Sequence, residues 1–129
     1  MRIFKIKSRL EFVDIQNNCS RSLATNKIIL LYKKIEDVEI NKSKIKNFSK
    51  FGVCVTKKID KRAVVRNRIK RLLREGFRIV SSSDDYILNN YKYEIIAKKC
   101  IVNFNFNDIR EDISSLVKQL YDIKTKVVQ

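Results

Sequence analysis

Two hydrophobic periods run along this chain and divide it into strands and helices. Lys27–Lys34 (KIILLYKK), Phe51–Thr56 (FGVCVT) and Tyr91–Lys98 (YKYEIIAK) are short apolar or β-branched runs, a pattern that predicts three strands. Between the last two, Val65, Ile69, Leu72, Leu73, Gly76, Phe77, Ile79 and Val80 fall on one arc at about 100° per residue. That spacing predicts a helix from Asp60 or Lys61 to about Val80. Gly76 lies within its apolar arc, where the missing side chain would allow close approach to the sheet at a cost of about 1 kcal/mol in helix propensity. A final helix is predicted from Ile109, Ile113, Leu116, Val117 and Leu120, capped by Asn107 or Asp108. Its acidic first turn (Asp108, Glu111, Asp112) and later Lys118, Lys124 and Lys126 suit the helix dipole. Near the start, Ser8-Arg9-Leu10-Glu11 fits a capping box for a helix reaching about Asn17. Leu10, Val13 and, as a further candidate, Phe12 form its apolar side. Glu36–Lys46 reads as a loop or hairpin tip, and Ser81–Asp85 as a turn. The order is αββαβα, with room for one more short strand: an α+β domain with a small mixed β-sheet packed with three helices.

Composition narrows the function. At 129 residues and 44% hydrophobic, the chain is read as one folded domain over residues 1–129, and its net charge of +15 sits on that fold. The longest apolar run, Ile28–Tyr32, is far too short to cross a membrane. The N-terminus has neither an apolar core nor a cleavage site of the secretory kind. Cys19, Cys54 and Cys100 are widely spaced and odd in number, and with no histidine present a Cys/His zinc site is not expected. Reduced intracellular thiols are the expectation, with Cys54 and Cys100 buried and inert.

The charge is concentrated. Lys57–Arg78 holds ten cations against Asp60 and Glu75 alone. Lys70, Arg74, Asn67, Arg78, Arg71 and Arg68 fill the arc opposite the apolar one, with Arg66 at its edge. Arg66, Lys70, Arg74 and Arg78 form an uninterrupted i,i+4 series, each pair costing an isolated helix about 0.2–0.5 kcal/mol. A merely solvated face usually mixes signs at that spacing. A nucleic-acid backbone offsets the repulsion, and arginine's planar fork matches phosphate oxygens. Aromatic Phe12 and Tyr32 could stack on unpaired bases if they line a groove, although periodicity favours core packing for Phe12. Chemistry by the protein itself has little support. No histidine is available as a base. The carboxylates at Glu36, Asp37 and Glu39, at Asp84 and Asp85, and at Asp108, Glu111 and Asp112 could hold Mg²⁺ for a nuclease, but each group fits a loop, a turn or a helix start better.

The segment from Val55 through Lys57, Lys58 and Ile59 into Ala63-x-x-Arg66-Asn67-Arg68-x-Lys70-Arg71-x-x-Arg74-Glu75 resembles the signature of the bacterial ribonuclease P protein component. Every motif position matches. The similarity extends to Ile6-Lys-Ser-Arg-Leu-Glu-Phe12, the strand ending at Tyr32, Phe51-Gly-Val53, and the Tyr93–Lys99 strand with its final helix. The resemblance implies a left-handed βαβ crossover through the Arg-Asn-Arg helix, where general rules give the right-handed form. It implies that Arg62, Arg66, Asn67, Arg68, Lys70, Arg71 and Arg74 face a catalytic RNA. It also implies that Phe12, Tyr32, Lys57 and Lys58 border a cleft for the single-stranded 5′ leader of precursor tRNA. The expected role is that of the ribonuclease P protein subunit, in the cytoplasm, promoting endonucleolytic maturation of tRNA 5′ ends. The chemistry is expected in the RNA and its Mg²⁺, with no catalytic residue and no cofactor or metal on the protein alone. Expected partners are the catalytic RNA and precursor tRNA, with no membrane and no obligate protein partner. Two departures stand out. Gln16 occupies a position where many members carry a second cleft aromatic, and Ile59-Asp60-Lys61-Arg62 lacks the glycine found in part of the family. The alternatives are a general or ribosomal-type RNA-binding module without a role in cleavage, a free-standing metal-dependent nuclease, and a DNA-binding helix, for which no preceding helix-turn is recognisable.

Overall fold

In the computed structural model, which describes residues 2–6, 8–19, 21–42, 48–83 and 90–128, the strand-like runs join two further strands in a single five-stranded sheet. Along the chain the elements are β1 (Arg2–Lys5), α1 (Arg9–Asn18), β2 (Arg21–Ala24), β3 (Ile28–Lys34), α2 (Asp37–Lys42), β4 (Phe48–Cys54), α3 (Ala63–Ser83), β5 (Tyr91–Ala97), a 3₁₀ turn (Lys99–Asn103) and α4 (Phe106–Val128). The sheet order is β1-β4-β5-β3-β2. β4 pairs in parallel with both β1 and β5, while β3 runs antiparallel to β5 and β2. The mixed sheet and α+β class are those expected. Three elements go beyond the sequence reading: the four-residue strands β1 and β2, and α2, where a loop or hairpin tip was expected. The predicted turn at Ser81–Asp85 begins inside α3, and residues 84–89 lie outside those described.

Strand side chains alternate between two faces, and each face has its own cover. On one, Ile28, Leu30 and Tyr32 of β3, Phe51 and Val53 of β4, and Tyr93, Ile95 and Ala97 of β5 pack under α3 and α4. Ile69, Leu73, Phe77 and Val80 are the buried stripe of α3, at the helical spacing the sequence predicts. Phe77 stacks on Phe51 with centroids 3.8 Å apart and rings 2° from parallel, which fixes α3 over the parallel β4–β5 pair. Gly76 does admit a close approach, but to α4 and not to the sheet: an added Cβ there meets Ile113 Cδ1 at 2.9 Å. α4 starts slightly earlier than predicted, because the Asn105 side chain accepts from Asp108 N–H (3.0 Å) and Asp108 accepts from Asn105 N–H (3.4 Å).

α1 covers part of the other face. Its Ser8 cap accepts from Leu10 N–H at 3.1 Å, but Glu11 reaches Lys50 of β4, so the expected capping box is half formed. Its apolar side also differs from the expectation. Leu10 is 80% exposed and Val13 is exposed, whereas Ile15 is fully buried against Ile6 and Leu31. Toward one end of this face the sheet is ionic. Lys50 and Lys92 both meet Glu39 of α2 (2.7 and 3.1 Å), and Lys33 pairs with Asp14 of α1. This is why a charged segment folds as α2. Burial alone works to raise the Glu39 pKa, but hydrogen bonds from Lys50 and Lys92 outweigh it and hold the carboxylate below its usual range.

Candidate nucleic-acid interface

The turn after β4 decides where α3 begins and which cations it presents. Ile59 N–H bonds Thr56 C=O at 3.0 Å, and Lys57 and Lys58 project from this turn exposed. The Asp60 carboxylate accepts from Arg62 N–H (2.8 Å) and from both Nε (3.1 Å) and an Nη (3.0 Å) of its guanidinium. Those bonds hold Asp60 at a pKa of about 2. Arg66 turns back, one Nη donating to the carbonyls of Asp60 (3.0 Å) and Lys61 (2.8 Å). The helix therefore starts at Ala63, later than predicted, after a loop that its own arginines lace together.

Beyond this lacing the stripe is free. Arg68, Arg71, Arg74 and Asn67 are exposed, Lys70 is half-buried, and among the described residues none makes a hydrogen bond or ion pair. Only Arg78 has an acid on its own helix, Glu75. Five acids elsewhere in the described residues are engaged: Glu11, Asp14, Glu36 and Glu39 with lysines of β3, β4 and β5, and Asp112 with Lys27. The result is one helix face of uncompensated cations. Of the seven residues expected to face RNA, five stand ready there, whereas Arg62 and Arg66 are engaged with their own loop.

The aromatic pair does not come together. Phe12 is half-buried on the α1 face, its ring over Gly52 of β4, where an added Cβ meets Cε1 and Cζ at 2.5 Å. Tyr32 shares the parity of Ile28 and Leu30, so it points to the opposite side of the sheet. There it is 1% exposed, near Tyr91 (centroids 6.3 Å apart) and Lys124 (5.4 Å from its ring centroid). The expectation that both line one cleft is corrected on this point.

Beside Phe12, Arg9, Val13, Gln16, Val53 and Cys54 enclose an open groove of about 420 Å³. Gln16 Nε2 donates to Glu94 Oε1 at 2.8 Å. Glu94 is fully buried in the central strand, its other oxygen has no hydrogen-bond partner, and burial pushes its pKa up, with the Gln16 bond opposing. Sequence reasoning passed over Gly52 and Glu94. Their signals were a glycine inside a strand and an acid in an apolar run. Cys54 and Cys100 are half-buried, not buried as expected. The Cys54 thiol is pushed up by burial and then by the Glu94 charge, Lys70 opposing, and Cys100 donates to Asn26 C=O at 2.6 Å. Among the described residues no three Cys, Asp or Glu side chains form a metal-binding group, and the Asp84–Asp85 candidate lies outside them. No helix among the described residues is long and apolar enough to cross a membrane.

Comparison with known proteins agrees with this picture. The family model for ribonuclease P matches residues 2–121. The chain is 35% identical to the ribonuclease P protein component of Clostridium kluyveri, over 92% of this chain and 96% of that one. It is 32% identical to that of Caldanaerobacter subterraneus, over 97% of each. In fold it is similar to the RNase P protein of Staphylococcus aureus (TM-score 0.71, 24% identity, 91% of this chain and 94% of that one). The RNase P protein of Thermotoga maritima is comparably close (TM-score 0.70, 24% identity, 89% and 96%). A cationic helix on a mixed sheet, a signature matched at each position and a family match over nearly the whole chain lead to one assignment: this chain belongs to the ribonuclease P protein component family, the protein subunits of a tRNA-processing endoribonuclease.

Proposed function

We propose that this protein binds the catalytic RNA of ribonuclease P through α3 and holds the 5′ leader of precursor tRNA along the groove beside α1. The observation that carries the first half is the set of unpaired cations Arg68, Lys70, Arg71 and Arg74 on one helix face, with Asn67 among them. Laid against phosphates, each releases counterions and removes part of the helix's self-repulsion. Arg62 and Arg66 shape the loop that aims this face and contribute positive potential from its edge. The second half rests on position. Phe12 offers a half-buried ring at the groove wall, the kind of surface on which an unpaired base stacks, and exposed Lys57 and Lys58 follow β4, the strand over which that ring lies. Tyr32 belongs to the core on the opposite face of the sheet and has no part in this groove.

The protein's part is binding and positioning, and the phosphodiester hydrolysis belongs to the RNA and its Mg²⁺. What favours this reading is the chemistry of the side chains: the chain contains no histidine, and Glu39 and Asp112 are engaged by lysines. The test is precursor-tRNA cleavage at low Mg²⁺ by the matching catalytic RNA with and without the protein. The expected result is cleavage at the mature 5′ end that depends on the protein, with none from the protein alone. Tight RNA binding without stimulation would support a general RNA-binding module instead.

A further inference from the structure

The α1 face of the sheet holds a carboxyl group that the fold does not need. Glu94 sits between Leu31 of β3 and Gly52 of β4 in the sheet register, fully buried, and one of its oxygens has no hydrogen-bond partner. A buried acid lacking a full set of partners costs stability, and a branched apolar residue, as at neighbouring Ile96, would remove that cost. Its single bond comes from Gln16, an exposed side chain that lines the groove. The two residues are therefore one feature: each is the other's partner. Phe12, one helical turn before Gln16, supplies the stacking wall.

We propose that the Gln16–Glu94 pair reads the Watson–Crick edge of a leader nucleobase stacked on Phe12, and that it selects guanine. This deepens the leader-binding reading and rests on it. The selection follows from donor order. Guanine presents two adjacent donors, N1–H and N2–H, which match the two oxygens of a carboxylate. Adenine and cytosine each place an acceptor beside their amino group, and uracil flanks its one N–H with two carbonyls, so each sets an acceptor against a carboxylate oxygen. Gln16 swings outward as the base enters, exposing Oε2, and its amide remains within the groove to bond the guanine carbonyl oxygen. Every buried polar atom then has a partner, which is the gain that drives the choice.

The experiment uses the holoenzyme, reconstituted from the protein and the matching catalytic RNA. Precursor tRNAs carrying each of the four bases at successive leader positions, together with a leaderless tRNA, are compared for affinity. The wild-type protein is measured beside Glu94→Gln, which keeps the shape, and Glu94→Ile, which removes the buried acid and is not expected to impair folding. The expected result is a guanine preference on the order of tenfold at one leader position, lost in both variants while binding of the leaderless tRNA is unchanged. Leader-dependent affinity with no base preference, or a guanine preference that survives both substitutions, overturns this inference and leaves the leader-binding reading standing. Affinity that ignores the leader altogether overturns both.

Discussion

Gly52→Ala tests how Phe12 is seated. The added methyl carbon would lie 2.5 Å from Cε1 and Cζ of Phe12 and 3.2 Å from Ile6 Cβ. Carbon atoms pack best at about 3.5–4.0 Å, so the ring must retreat by about 1 Å or more. Ile6 cannot yield, because its contacting atom is fixed to the backbone and the residue is 2% exposed. The ring yields instead, since Phe12 is half-buried and can rotate toward solvent. Overpacking of this kind costs about 1–3 kcal/mol, and a movable ring puts it toward the lower end, about 1–2 kcal/mol. Urea denaturation of wild type, Gly52→Ala, Phe12→Ala and the double variant forms a thermodynamic cycle. Gly52→Ala should destabilise the wild-type background and cost clearly less once Phe12 is gone, where only the tighter-than-usual contact with Ile6 is left, with a coupling of about 1 kcal/mol or more. An equal cost in both backgrounds would refute the contact. If the leader stacks on this ring, Gly52→Ala also weakens leader-dependent binding, by up to the value of one stacked base, about 1–3 kcal/mol.

Three other outcomes can be measured directly. Replacing Lys70, Arg71 and Arg74 together by alanine should lower the steepness of log K against log salt for catalytic-RNA binding by about 2–3, at about 0.7–0.9 per phosphate contact; an unchanged slope means the stripe is not at the RNA. Arg68→Ala should weaken RNA binding and leave the unfolding midpoint in place, whereas Arg66→Ala, which removes bonds to the carbonyls of Asp60 and Lys61, should also lower stability by about 1–2 kcal/mol; identical profiles for the two contradict the division of roles. Because burial raises the Glu94 pKa, the native state binds this proton more tightly than the unfolded chain does. Its contribution is fully favourable below the ordinary value of 4.5 and is lost as pH rises through the native pKa. The stability advantage of Glu94→Gln should thus be absent in acid and grow toward neutral pH, and parallel pH curves for the two proteins would count against a buried, ionising Glu94.

The long helices and paired central strands were legible because their burial is periodic. Leu73 and Phe77, or Ile109 and Ile113, repeat at the spacing that one packed face requires. What the sequence hid depends on partners distant along the chain. β1 is four residues long and exists by pairing in parallel with β4, some forty-five positions on, so its local pattern carries almost no signal. α2 is polar throughout and is anchored by Lys50 and Lys92, which lie on two later strands. Tyr32 belongs to a strand with apolar residues on both faces, and an unbroken run does not say which face a given ring takes. For α1 the arc was misplaced because the sheet beneath it is ionic at one end, leaving Ile15 with an apolar site and Leu10 without one. The cationic stripe of α3, by contrast, was plain in the sequence, since an i,i+4 row of like charges is a local pattern that needs no distant partner to be seen.

The division of labour between lysine and arginine gives the charge pattern its physical sense. Lys27, Lys33, Lys50 and Lys92 are mostly shielded, and each has a carboxylate partner that fastens a helix to the sheet. Arg68, Arg71 and Arg74 are exposed and without partners. Salt acts unequally on the two sets: shielded pairs are weakly screened, whereas an open cationic face loses its long-range field within a Debye length of about 8 Å at physiological ionic strength. On the proposed reading, raising salt detaches the RNA before it loosens the fold. A frame of paired lysines keeps Glu11, Asp14, Glu39 and Asp112 away from the stripe of unpaired arginines. Placing a glutamate at Lys70, between Arg66 and Arg74 on the i,i+4 row, would relieve the helix and blunt the surface at once.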